Sequence, residues 1–253
     1  MSPGLRPERS RRPVSTLRNL DYPGHVCHAG EVTMTRTGKR ATKEQRAATE
    51  YLGSLGDSLA LWVQSTGPID AYGTHLPVEV RGPLEWFSFT IASRQLSRAT
   101  ASAIYNRLVA QLGGSITAER VIAADEQTMR GVGLSHPKAR AIRGLAELAD
   151  DGLLEPEKLA AMSDAEIHHE LVALPGVGPS TAQMFMMRYL HRPDIFPAGD
   201  PAVRAAVTAL DRLDRRITPK AAEQRSELWR PYRSYATSYL WGYVWELHPS
   251  AAG

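Results

Sequence analysis

The chain has 253 residues, enough for one large domain or two modest ones with a real core. Lys and Arg number 30 against 27 Asp and Glu, with an isoelectric point near 9.1, a balance compatible with nucleic acid but not demanding it. The lone Cys27 excludes an internal disulfide framework and any multi-cysteine metal site, and no run approaches the roughly 18 apolar residues needed to span a bilayer.

Residues 1–33 carry Arg6, Arg9, Arg11, Arg12 and Arg18, several prolines and little periodicity. A basic, disordered tail is expected there, extending to about residue 40. No apolar core follows the arginines, so the stretch does not read as a secretory signal, and Met34 stands as an alternative start. From Thr42 the pattern turns helical, over Lys43 to Leu55 and again over Asp57 to Val63, with Asp57 as N-cap. Gly67, Pro68, Gly73, Pro77 and Gly82 mark a connection, with a short extended piece expected at Leu76 to Val80.

Pro83 opens a helix through Trp86, Phe87 and Ile91 to a turn at Ser93 to Ser97. The next helix places Ala101, Ile104, Leu108 and Leu112 on one face and closes at Gly113 and Gly114. Thr117 and Asp125 each sit at a capping position before a short helix, and the turn Gly133 to Lys138 leads to another that buries Ile142, Leu145 and Leu148. Ser135, Lys138 and Arg140 are candidates for phosphate contact or for plain solvation.

Ser163 and Glu166 form a capping box, and the adjacent His168 and His169 lack the i, i+4 spacing of a metal pair. Ile167, Leu171 and Leu174 recur at helical spacing ahead of Pro175-Gly-Val-Gly178, and Ala182, Phe185, Met186 and Tyr189 do so behind it. Gly176 and Gly178 suit an unusual backbone path, and a helix starting at Pro179 presents unpaired N–H groups that suit a phosphate. An ordinary helix-turn-helix corner has the same pattern. Further on, Phe196-Pro-Ala-Gly-Asp200 precedes Pro201, a common N-cap arrangement, and Val203, Ala206, Val207, Leu210 and Leu213 face inward. Tyr232, Tyr235, Ala236, Tyr239, Leu240 and Tyr243 form a final stripe.

The hairpin Leu174-Pro-Gly-Val-Gly178, its interval to Asp200 and the run Trp229-Arg-Pro-Tyr-Arg-Ser-Tyr-Ala236 together resemble the helix-hairpin-helix (HhH-GPD) DNA glycosylases. The likeness is closest to the bacterial 3-methyladenine DNA glycosylase II branch and covers about residues 50–247. It implies an all-α, two-lobed fold with a cleft between the lobes and without the N-terminal β domain of larger members. One lobe would combine residues 41–82 with 201–253, and the other would span 83–200 with the hairpin at 164–190.

The resemblance implies Asp200 as catalytic carboxylate and a base pocket bordered by Trp241, Ser180, Met184 and Trp86. Gln95 is identified with the wedge that fills the gap left by a flipped nucleotide, with Leu96 packing behind it and Arg94 where glutamine is common. The N–H groups of Gly176, Gly178, Ser180 and Thr181 would hold phosphate, aided by Arg188 or Arg204. No cofactor is required, although a Na+ or K+ ion would sit at the backbone carbonyls of Val172, Leu174 and Val177. The implied partner is double-stranded DNA holding a damaged base, bound by a monomer at the bacterial nucleoid in the cytoplasm, with no membrane involved.

Ser180 stands where relatives that also cleave the backbone have a lysine, so a monofunctional glycosylase using water is expected. Neither Ser180 nor Met184 supplies the aromatic ring usual there. An alkylated purine is the expected substrate, with a deaminated or oxidised base, or a noncatalytic DNA-binding role, as alternatives.

Overall fold

A computed structural model of the chain describes residues 40–73 and 76–247, so all of the expected tail except Arg40 lies outside the described residues. Among the described residues there are thirteen α-helices, one short 3-10 turn and no strand. The all-α expectation holds. In chain order they are α1 (Lys43–Ser54), α2 (Ser58–Thr66), α3 (Pro83–Ser93), α4 (Arg98–Gln111), α5 (Ala118–Ala123), α6 (Glu126–Gly131) and α7 (His136–Asp150). There follow α8 (Pro156–Ala161), α9 (Asp164–Val172), α10 (Pro179–Arg188), α11 (Pro201–Leu210), α12 (Pro219–Ser226) and α13 (Arg233–Leu247).

The helix starts are written in the capping residues. Thr42 with Gln45, and Ser163 with Glu166, close full capping boxes, while Asp57, Ser97, Thr117, Asp125 and Thr218 each accept the N–H three residues on. Each such cap stabilises its helix by about 1 kcal/mol. Gly113 and Gly114, at φ 74° and 97°, end α4 in the left-handed region that glycine enters without strain.

Both ends of the chain pack together, since α13 lies against α1, α2 and α11. Its stripe is core: Tyr235, Ala236, Tyr239 and Leu240 are buried, and the Tyr239 hydroxyl donates to the Gly67 carbonyl at 2.7 Å. In the middle of the chain α3 packs on α4 and α7, α5 and α6 pack on α7, and α9 pairs with α10. The α9–α10 turn meets α7 through small residues. A Cβ on Gly144 would lie 2.8 Å from Pro175 Cγ, and one on Gly176 would lie 2.7 Å from the Ala141 Cβ.

Two expectations need correction. Leu76 to Val80 is irregular rather than extended, and it is pinned by buried Glu85, which accepts the Arg81 N–H at 2.7 Å and the Ile116 N–H at 3.2 Å. Leu213 is 42% exposed because α11 ends at Leu210 and the chain turns away at Arg212, φ 53°.

A charged cluster ties α2 to the segment after α11. Arg225 donates to Asp57 at 2.8 Å and to Asp211 at 2.9 Å, and the Trp229 indole donates to Asp57 at 2.9 Å. Burial alone would push the Asp57 carboxyl up, but hydrogen bonds from Trp229, Arg225 and the Ala60 N–H outweigh it and hold the group below the usual carboxylate range. Its contribution is therefore complete above the unfolded-chain value of about 4 and is lost as pH falls through the lower folded value. Asp57→Asn is expected to lower stability by about 3 kcal/mol at neutral pH and to flatten the loss of stability below about pH 4, both read by urea unfolding.

Candidate active site

The site begins with a segment that carries no reactive group. Asp194 is gripped by Arg233, whose Nε donates to its carboxylate at 2.8 Å and whose Nη2 donates to its carbonyl at 2.8 Å. The Ser234 hydroxyl donates to the Arg192 carbonyl at 2.6 Å and accepts the Ile195 N–H at 3.0 Å, and Phe196 packs on Trp229 with ring centres 5.6 Å apart. The run Trp229 to Ala236 thus bolts residues 192–196 to the start of α13. That attachment fixes the approach to Asp200, four residues later, relative to Trp241, two turns along α13.

Asp200 caps α11 with one oxygen. Its Oδ1 accepts the N–H groups of Ala202 and Val203 at 2.8 Å each and the Trp241 indole N–H at 3.3 Å. Among the described residues Oδ2 accepts no hydrogen bond, and the carboxylate is half-buried. Trp241 is 6% exposed and carries the Arg188 guanidinium over its ring, 4.9 Å from the centre. Arg188 in turn donates to the carbonyls of Ala71 at 2.8 Å and Gly73 at 3.2 Å. Burial pushes its pKa down, opposed by the charge of Asp70.

Beside this chain of contacts is a hollow of about 210 Å3 lined by Leu76, Val78, Val80, Trp86, Arg188 and Tyr189. Trp86 reaches it from α3, wedged edge-on against Phe87 and Phe185. Ser180, Met184 and Arg188 recur at a spacing of four on α10 and so share one face of that helix, with Ser180 exposed and Met184 half-buried. Two of the four expected pocket residues are therefore joined directly, Trp86 through the hollow and Trp241 through Arg188; Met184 and Ser180 stand one and two turns from Arg188.

Arg188 and Arg204, either of which the resemblance implied as an aid to phosphate binding, both make hydrogen bonds within the protein. Arg188 is spent on Ala71, Gly73 and Trp241, and Arg204 donates to the Ile217 carbonyl at 2.7 Å. Extending the stripe of Ser180 and Met184 by one more turn would have found Arg188.

At the hairpin, Gly176 has φ 73°, but Gly178 has an ordinary φ of −92° and open space where its Cβ would be. Only the first glycine is required by the backbone. Gly178 instead keeps the start of α10 uncovered, where Pro179 removes one N–H and those of Ser180 and Thr181 lie in the unpaired first turn. Arg94 crosses from the end of α3 to donate to the Gly176 carbonyl and to the Thr181 hydroxyl, the latter at 3.1 Å. Lys138 donates to the carbonyls of Ala92 and Arg94 at 2.8 Å each. Burial, with the neighbouring Arg94 charge, pushes its ammonium below the usual lysine range. Lys138, a candidate for phosphate contact or for plain solvation, is thus tied into the scaffold together with Arg94, while Arg140 is exposed.

Gln95 lies at the tip of this turn, exposed and with φ 60°. A residue with a Cβ resists that conformation by about 1 kcal/mol, so the turn holds the side chain outward against its local preference. Leu96 does not pack behind it; it is 40% exposed, because the turn projects both side chains into solvent.

A helical frame that sets a glycine hairpin against a capped carboxylate and an aromatic-walled hollow defines the helix-hairpin-helix class of DNA repair proteins. Residues 89–231 match the HhH-GPD superfamily of base excision DNA repair proteins, and the chain belongs to that superfamily. It is 30% identical over 183 residues to DNA-3-methyladenine glycosylase 1 of Schizosaccharomyces pombe, covering 71% of this chain and 80% of that one. Among solved structures, the S. pombe 3-methyladenine DNA glycosylase in complex with abasic DNA superposes with a TM-score of 0.64 at 29% identity, over 77% of this chain and 95% of that one. The DNA-3-methyladenine glycosidase of Bacillus halodurans gives 0.71 at 25% identity, over 80% and 91%.

The two hairpin glycines separate cleanly in stability. Gly176→Ala is expected to cost about 1–3 kcal/mol, from its backbone angle and the contact with Ala141, whereas Gly178→Ala should stay within about 0.5 kcal/mol; urea unfolding of the two variants measures both.

Proposed function

We propose that the chain hydrolyses the N-glycosidic bond of an alkylated base flipped out of duplex DNA, acting as a monomer and without backbone cleavage. The observation that carries this reading is the division of labour in Asp200: Oδ1 is spent on α11 and Trp241, and Oδ2 is left to face a substrate. As the base leaves, positive charge develops on the deoxyribose at C1′. A preorganised carboxylate in a site shielded from water stabilises that charge far better than one in bulk solvent. Water then adds to C1′, oriented by the same oxygen.

The remaining parts fit around this step. N–H groups at Gly176, Gly178, Ser180 and Thr181 hold backbone phosphate, Gln95 with Leu96 fills the vacated stack, and Trp86, Trp241, Ser180 and Met184 border the base. Ser180 supplies no amine for a Schiff base, and Lys138 has its ammonium engaged by two carbonyls. The relatives named DNA-3-methyladenine glycosylase support alkylated bases as the substrate class. A monovalent cation at the carbonyls of Val172, Leu174 and Val177 suits an all-neutral oxygen set, and the Leu174 carbonyl also accepts the Val177 N–H at 3.0 Å. Among the described residues no acidic, histidine or cysteine cluster could hold a metal ion, and no helix is long and apolar enough to cross a membrane.

Asparagine caps helices as well as aspartate does, so Asp200→Asn should fold. It is expected to lower base release by at least about 100-fold on duplexes that each contain one damaged base, with abasic sites revealed by hot alkali. Borohydride should trap no covalent complex with the wild type; a trapped adduct would overturn the hydrolytic reading. DNA binding without release of any base would leave a noncatalytic binder.

A further inference from the structure

Asp200 is anchored by one oxygen, and the direction of the other has to be set by something else. Oδ1 accepts two N–H groups from the first turn of α11. Those bonds fix one oxygen but not the plane of the carboxylate, because the terminal torsion of an aspartate has broad minima. The Trp241 indole N–H, arriving from α13 at 3.3 Å, is the third donor and, among the described residues, the only one from outside α11. The direction of Oδ2 therefore depends on how the Trp241 ring is held.

Arg188 holds it. Its guanidinium lies over the ring, 4.9 Å from the centre, and makes no ion pair among the described residues. Nη1 donates to the carbonyls of Ala71 at 2.8 Å and Gly73 at 3.2 Å. The Ala71 carbonyl also accepts the Ser238 hydroxyl at 3.0 Å, and Ser238 lies three residues before Trp241 on α13, on the same side of that helix. The contacts close a ring, from Trp241 to Arg188, to Ala71, to Ser238 and back along one turn of helix to Trp241. Within it the guanidinium cannot slide along the indole face without breaking a hydrogen bond.

The hydrogen bonds of Arg188 do not by themselves account for its place. Its buried Nε–H has no partner among the described residues, so the side chain is not set to satisfy its own donors. What the position does supply is a flat cation against a flat ring. A guanidinium stays protonated even when burial lowers its pKa, and its planar fork can reach carbonyls while stacking on an aromatic face, which an ammonium cannot.

Resting on the glycosylase reading above, we infer that Arg188 is a positioning residue for base release: stacked on Trp241 and tied to Ala71 and Gly73, it fixes the indole N–H on Asp200 Oδ1 and so aims Oδ2 at the deoxyribose. In this role it touches neither base nor sugar and moves no proton. Without it Asp200 would still cap α11, but the plane of its carboxylate would be loose, and Oδ2 would face the charge at C1′ only part of the time.

The test joins a rate to a signal that needs no DNA. On the damaged-base duplex that wild type processes fastest, Arg188→Met is expected to slow single-turnover release by at least about tenfold while changing the Kd for that duplex by less than about twofold. In a Trp241→Phe background, which keeps a ring but removes the N–H, the same change should slow release by less than about twofold further. Arg188→Lys, which keeps a cation but not the fork, should be about threefold slower than wild type. In protein with isotope-labelled tryptophan, the Trp241 indole N–H resonance, assigned by its absence from Trp241→Phe, should shift in Arg188→Met. Four results overturn the inference: release that is unchanged, a loss that lies in DNA binding, an unshifted resonance, or the same slowing in both backgrounds, which would mark mere support of residues 71–73. If Arg188→Met does not fold, Arg188→Lys takes its place, and no slowing, or equal slowing in both backgrounds, overturns the inference. Any of these with an active wild type leaves the glycosylase reading standing. A wild type that releases no damaged base overturns both.

Discussion

The grip of Arg233 on Asp194 is the interaction on which the site depends. Arg233 is almost fully buried, and it also reaches Glu223 at 3.1 Å and Glu227 at 3.4 Å, so it joins α12 and the 3-10 turn to the segment that leads into Asp200. A buried charge of this kind contributes little net attraction once desolvation is counted, but removing one partner strands the other. Its value is positional. With Arg233 seated at the first turn of α13, the distance from that turn to Trp241 is set by helix geometry, and Trp241 can then meet Asp200.

The same logic recurs in the hairpin. Gly144 against Pro175 and Gly176 against Ala141 leave no slack between α7 and the turn, so the orientation of α10 follows from two side chains that are absent. Arg94 and Lys138 add polar ties to the α3–α4 turn. Three elements far apart in sequence thereby become one unit.

Much of this frame was legible in the sequence. Capping residues marked most helix starts, because Ser, Thr and Asp act through N–H groups only two or three residues away, and Pro83, Pro179 and Pro201 marked first turns. The link between the hairpin and Asp200 was readable as a motif. Long cations were not: Lys138, Arg188 and Arg204 all looked available for phosphate, and each found a carbonyl or a ring elsewhere in the chain. Side chains of four or five rotatable bonds declare their targets only when the fold is in place. The run Trp229 to Ala236 was recognised by likeness, yet its physical task, holding residues 192–196, depends on partners about forty positions away.

Lys138 binds the carbonyl of Arg94, and Arg94 binds the carbonyl of Gly176. On the proposed reading these two ties make a caliper. One jaw is the hairpin that closes on a phosphate, the other is Gln95 at the gap in the base stack, and neither can shift without the other. The span between gripped phosphate and vacated position is then a property of the protein alone. Undamaged DNA must be bent or compressed to match it, at a cost that a weakened base pair reduces, so the search for damage becomes a measurement of how readily the duplex yields to a fixed gauge.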